Sequence, residues 1–209
     1  MTLFSDRGCP FAHRVLALAE HIDLQLLLHE GRVGEPPEGL ARYSPSERVP
    51  LLVHEGLVLT ESRVMLEHIA EHEGYAGAYP EGLRARSLHR HAMAIGDDYL
   101  PPLLFGRRTT SADDPRLQDA LDWLEAATRV APVGPSLLAL HLAPLWLRFG
   151  WWQPNHALAS AVRARGALHD WLEAAAELPC VTRTLPDLAS RESDLERARA
   201  AGLLELPAH

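Results

Sequence analysis

The period of the apolar positions changes near residue 75. Before it, short apolar runs of strand length alternate with helical stretches; after it, the spacing is helical throughout. Residues 2–5 predict a first strand, followed by a turn at Asp6-Arg7-Gly8. Pro10 then opens a helix, at a position where its missing N–H forfeits no bond. Phe11, Val15, Leu18, Ala19 and Ile22 share one face of that helix. Residues 24–29 predict a second strand, and residues 31–39, with Pro36-Pro37, a loop. A short helix over residues 40–43 stops before Ser44-Pro45. Residues 50–54 and 57–60, separated by Glu55-Gly56, predict a hairpin with a tight turn. Ser62 is positioned to cap a helix over residues 63–73, with Met65, Leu66, Ile69 and Ala70 on its apolar side.

The order β-α-β, loop, β-β-α ends near Gly74 and has the length of a small α/β domain. Residues 75–82 are rich in Gly, Ala and Pro and read as a linker. A helix over residues 83–105 follows, bent or ended by Pro101-Pro102. Asp114-Pro115 starts another, with Leu117, Leu121 and Leu124 on one face. Ser136 caps a mostly apolar helix through Phe149, kinked at Pro144 and placed at the centre of its domain. Asn155 caps a long helix through Glu177, and Ser190 a last, charged one. The expected domains are therefore 1–76 and 83–209, the second all-helical.

Composition narrows the classes. The chain has 209 residues, 47% of them hydrophobic, which is enough to offset chain entropy and excludes a disordered or fibrous protein. No apolar run reaches the ~18–20 residues that span a bilayer, and the N-terminal residues lack the pattern of a secretory signal, so no membrane association is expected. The net charge of −8 disfavours a phosphate-backbone binder, so no nucleic-acid partner is expected. All 20 basic residues are Arg, which removes lysine Schiff-base chemistry. Two cysteines, Cys9 and Cys180, make no disulfide framework and point to a reducing, cytoplasmic setting.

Cys9-Pro10-Phe11-Ala12 is the most informative stretch. A cysteine lies after a strand and turn and directly before a helix, whose positive end and unpaired N–H groups favour a thiolate. Cysteines so placed, or beside cations, have pKa values of ~3.5–7.5 rather than ~8.5, and Arg7, His13 and Arg14 are near in sequence. Ala12 stands where an internal resolving cysteine would be, so an external thiol is needed to resolve a mixed disulfide on Cys9. The competing reading of Cys9 is a small buried structural residue. Val49-Pro50 is the second element: a cis proline there would face the cysteine and leave the Val49 backbone to pair with a peptide-like ligand. A trans proline on an edge strand is the alternative. Glu61-Ser62 is the third, offering a carboxylate for an ammonium group and a hydroxyl at a helix start for a carboxylate.

These stretches, with Tyr43-Ser44-Pro45-Ser46-Glu47-Arg48-Val49-Pro50 and Thr60-Glu61-Ser62 in order, resemble the cytosolic glutathione S-transferase superfamily over nearly the whole chain. The Cys-Pro-Phe start is most similar to its cysteine-type members, the omega-like and dehydroascorbate-reductase-like classes. The resemblance implies an α/β thioredoxin-like N-terminal domain, an all-α C-terminal domain and a homodimer. It implies glutathione, or another low-molecular-weight thiol, as cosubstrate, with a small electrophile or disulfide as the second substrate. Cys9 would be the catalytic thiol; Phe11, Val49 and Pro50 would line the glutathione site, and Glu61 and Ser62 would hold the γ-glutamyl end. A non-catalytic binding or regulatory member of the stringent-starvation type is the rival. Two departures stand out. Ala139 occupies the position where the family often has an acidic residue after the helix-capping Ser136. No Lys is present for the glycyl carboxylate, leaving Arg42 or Arg48.

Other features carry less. His68-Ile69-Ala70-Glu71-His72 matches a zinc-peptidase pattern, but in a chain with 12 histidines a chance match is expected, and no metal is assigned. His89 and His91 do not face each other on a helix. Trp151, Trp152, Tyr99 and Phe105 fit either a substrate pocket or packing. Cys180 reads as a buried small residue, and Asp113-Asp114 as a helix start.

Overall fold

A computed structural model describes residues 1–200 apart from 33, 106–109, 132 and 155. By contact, the chain divides into two units. One comprises Met1–Tyr75 and the segment beginning at Pro179; the other is Ala76–Leu178.

The first unit is built on a four-stranded sheet of order β2-β1-β3-β4, formed by β1 (Thr2–Asp6), β2 (Leu27–Gly31), β3 (Leu51–His54) and β4 (Leu57–Leu59). β1 runs parallel to β2, with Thr2 opposite Leu27, and antiparallel to β3, with Thr2 opposite Val53. Two helices complete the thioredoxin-like arrangement: α1 (Pro10–His21) between β1 and β2, and α2 (Ser62–His72) after β4. Leu3, Val15, Leu18, Leu52, Leu66 and Ile69 are fully buried and form its apolar interior.

Several local expectations shift by a few residues, each for a visible reason. The second strand starts at Leu27 rather than Leu24, because the chain leaves α1 through Asp23 at φ 56°, with the Leu24 N–H bonding back to Ala19 O at 2.8 Å. The hairpin turn holds Glu55 at φ 49° and Gly56 at φ 83°, left-handed values that suit glycine at its second position. The cap of α2 is Glu61, and Ser62 is its first helical residue. The short helix at Leu40–Arg42 is a single 3-10 turn.

The second unit is helical: α3 (Leu83–Leu104), α4 (Pro115–Thr128), α5 (Leu137–Trp152), α6 (Ala157–Arg163) and α7 (Gly166–Ala176). Pro101 and Pro102 lie in the last turn of α3, which ends at Leu104. Asp114 caps α4 by accepting from the Arg116 N–H at 2.8 Å. α5 continues through Pro144 to Trp152, and Leu137, Leu138, Leu140, Leu142 and Leu145 on it are fully buried. Ser136 caps it, accepting from the Ala139 N–H at 3.4 Å.

The long helix expected after residue 155 is instead two, α6 and α7, and Asn155 itself lies outside the described residues. The break comes at Arg165, with φ −106° and ψ 75°. Its guanidinium reaches α4, donating to Asp122 Oδ1 at 2.5 Å, Glu125 Oε2 at 3.2 Å and Gln118 Oε1 at 2.6 Å. α8 (Pro179–Arg183) and α9 (Leu188–Ala200) follow; α9 begins before Ser190, which therefore does not cap it. α8 packs on α1 in the first unit, where the His13 ring meets Val181 O at 3.0 Å.

Candidate functional site

Asp6 organises the turn between β1 and α1. Its Oδ1 accepts from the Gly8 N–H at 2.7 Å, and its backbone oxygen accepts from the Cys9 N–H at 3.1 Å. Cys9 is thereby delivered to the N-cap of α1 in extended conformation, φ −69° and ψ 117°. Its side chain makes no capping bond to the helix, and it is partly exposed. The thiol thus lies over the positive end of α1, where a sulfur anion is stabilised by dipole and N–H groups.

The Val49-Pro50 bond is cis. Val49 O lies 3.8 Å from Cys9 Sγ, within reach of a weak S–H donor. Strand β3 begins at Leu51, so this carbonyl sits at the strand's entrance, opposite the head of α1. Cys9, Val49 and Pro50 therefore converge.

Phe11 and Arg14 occupy the same face of α1, with the guanidinium 5.0 Å from the ring centroid. Arg14 is 1% exposed, and its Nη1 donates to Ser62 Oγ at 3.0 Å. Through this bond the helix that carries Cys9 is tied to the start of α2. Glu61, the residue before, is exposed and its side chain makes no capping bond.

Two of the groups that sequence proximity places near the sulfur also hold partners far along the chain. Arg7 forms an ion pair with Glu30 at 2.7 Å, and His13 turns to Val181. Arg42 and Arg48 are both exposed. What the sequence did not reveal is the Arg14–Ser62 bond, whose partners lie 48 residues apart.

The remaining candidates resolve as follows. Cys180 is buried, which pushes its thiol pKa up, and neither cysteine is in a disulfide. His68 Nε2 meets His54 Nδ1 at 2.9 Å, and His72 pairs with Glu73 at 2.8 Å. Among the described residues no group of three His, Cys, Asp or Glu side chains is arranged to hold a metal ion. Trp151 lies under the Arg148 guanidinium at 4.8 Å, and Trp152 packs on Phe105 with ring centroids 6.1 Å apart. Tyr99 lines a cleft of about 500 Å³ in the helical unit, with Asp98, Leu103, Asp114 and Arg116. No helix among the described residues is long and apolar enough to cross a membrane.

Residues 1–71 match the family model "Glutathione S-transferase, N-terminal domain". Glutathione S-transferase D7 of Anopheles gambiae is 30% identical over 130 residues, covering 56% of this chain and 60% of that protein. A stringent starvation protein A homolog of Pasteurella multocida (strain Pm70) is 32% identical over 118 residues, covering 54% of each. The chain thus spans little more than half the length of these relatives. The crystal structure of glutathione transferase Omega 1C from Trametes versicolor superposes with a TM-score of 0.71 at 18% identity, over 98% of both chains. The chain has the glutathione transferase fold: a thioredoxin-like sheet domain and a helical one.

Proposed function

We propose that the protein is a glutathione-dependent thiol transferase or reductase with Cys9 as its nucleophile. One observation carries this: Cys9 Sγ, uncommitted to capping its helix, lies at the head of α1 and 3.8 Å from Val49 O, beside the cis Val49-Pro50 bond. The Cys9 thiolate attacks one sulfur of a small disulfide, forming a Cys9 mixed disulfide and expelling the other sulfur as a thiolate. With glutathione as the moiety retained on Cys9, a second glutathione thiolate attacks its sulfur, releasing oxidised glutathione and restoring the Cys9 thiolate. The first step draws on the Cys9 thiolate that the helix terminus maintains, and the second develops negative charge on that same sulfur as it leaves, where the dipole lowers the barrier. Conjugation of bound glutathione to a small electrophile uses the same helix end.

In this reading Val49 pairs with the cysteinyl backbone in the manner of an added strand, beside Pro50 and Phe11. The exposed Glu61 carboxylate takes the γ-glutamyl ammonium group, and the Ser62 hydroxyl its carboxylate. The omega-like start at Cys9 supports the cysteine-type class, and a cytoplasmic homodimer is the expected setting.

A non-catalytic binding protein is the second reading, favoured by the similarity to a stringent starvation protein A homolog. A thermal-shift panel of glutathione and other low-molecular-weight thiols tests the ligand, since occupancy at a hundredfold excess over Kd adds ~2.7 kcal/mol of apparent stability. Cys9→Ser separates the two readings. A reductase loses at least about a hundredfold in turnover with its thermal midpoint unchanged; the absence of any thiol-dependent turnover in the parent protein overturns the enzymatic reading.

A further inference from the structure

Arg14 is a large charged side chain kept at 1% exposure. Its Nη1 hydrogen-bonds the hydroxyl oxygen of Ser62, itself 6% exposed, at 3.0 Å. A guanidinium only donates, so in this bond the Ser62 oxygen must accept. A hydroxyl has one proton and two lone pairs. With one lone pair engaged from the α1 side, the proton is left to donate to another acceptor. Arg14 is itself immobilised, its guanidinium lying 5.0 Å from the Phe11 ring centroid one turn earlier on α1. The cation also polarises the O–H it holds, and hydrogen bonds assisted by a charge are the stronger kind.

We propose that Arg14 is a positioning residue: it acts through Ser62, orienting and strengthening that hydroxyl as a donor to the α-carboxylate of a γ-glutamyl ligand. The inference rests on the glutathione reading and adds to it a residue that touches no substrate. Because Arg14 and Cys9 belong to the same helix, the sulfur-handling and carboxylate-handling ends of the site are set by one rigid element. The site is thereby selective for peptides whose first residue carries a free α-carboxylate.

The test compares glutathione with the analogue in which 4-aminobutyrate replaces the γ-glutamyl residue, which lacks that carboxylate. Kd values are measured for the parent protein, Arg14→Gln, Ser62→Ala and the double variant. The parent protein is expected to prefer glutathione at least tenfold. Arg14→Gln is expected to lower that preference about tenfold while leaving the analogue's Kd within about twofold, and to add nothing in the Ser62→Ala background. Weakening of both peptides by the same factor, or full additivity with Ser62→Ala, overturns the proposal. Arg14→Met, which fills the buried volume without charge, serves the same comparison if the Gln variant does not fold. A parent protein that binds neither peptide refutes the glutathione reading itself, and one that binds both equally refutes the Ser62–carboxylate contact and with it the role of Arg14, leaving glutathione as the ligand.

Discussion

His89 Nε2 accepts a 2.6 Å hydrogen bond from the backbone N–H of Leu138. A side chain of α3 thereby caps the buried N-terminus of α5, within the helical unit. Ala139 offers no side-chain acceptor at this helix start, and His89 brings one from a distant part of the chain to a different N–H, that of Leu138. To accept at Nε2, the ring must be neutral with its proton on Nδ1.

That requirement makes the fold acid-sensitive. Burial first, then the charges of His141 and Arg90, lowers the His89 pKa from 6.5 to about 4. Between those values the unfolded chain binds a proton that the folded chain refuses. Stability therefore falls as pH drops from 6.5 to about 4 and loses nothing more from this group below that. The size is on the order of 3 kcal/mol. His21 and His156, also lowered by burial, act in the same sense. Urea unfolding across this range should show the slope, and His89→Gln, which can accept from Leu138 without titrating, should flatten it.

Gly96 on α3 faces α5 at close range. A Cβ built there would stand 2.9 Å from Leu142 Cδ2 and 3.5 Å from His141 Nε2, both fully buried side chains. Gly to Ala inside a helix ordinarily gains about 0.5–1 kcal/mol. Here overpacking, at about 1–3 kcal/mol, should outweigh it. Gly96→Ala is expected to lower the urea midpoint; a rise would show that α3 and α5 separate easily.

Arg165 joins the break between α6 and α7 to Asp122, Glu125 and Gln118 of α4, and it is 17% exposed. Arg165→Ala leaves several of these acceptors half-satisfied. A loss of about 1–3 kcal/mol is expected by chemical denaturation, with the thiol chemistry at Cys9 unaffected.

Glu61→Gln tests the ammonium contact proposed for the γ-glutamyl end. Removing one charge-assisted bond, worth about 1.5–3 kcal/mol, should raise KM for glutathione about tenfold or more with kcat nearly constant. Glutathione lacking that amino group should bind both proteins alike.

The thioredoxin-like order was legible because each element announces itself locally. Pro10 marks a helix start, Glu55-Gly56 a turn, and the period of apolar residues separates strands from helices. The candidate site was legible only as a set of residue types. Where Arg7, His13 and Arg14 point depends on Glu30, Val181 and Ser62, which lie far away in sequence. The break at Arg165 escaped notice for the same reason, since its cause is a set of acceptors on another helix.

Helix and strand periods, caps and turns are short-range properties, so Pro10, Asp114, Ser136 and the Glu55-Gly56 pair could be read without coordinates. Long-range pairing is a different matter. That Cys9 faces Val49, that Arg14 holds Ser62 and that His89 caps α5 all follow from how the elements pack. A buried polar atom must find a partner wherever packing puts one, and no local pattern encodes which residue that will be.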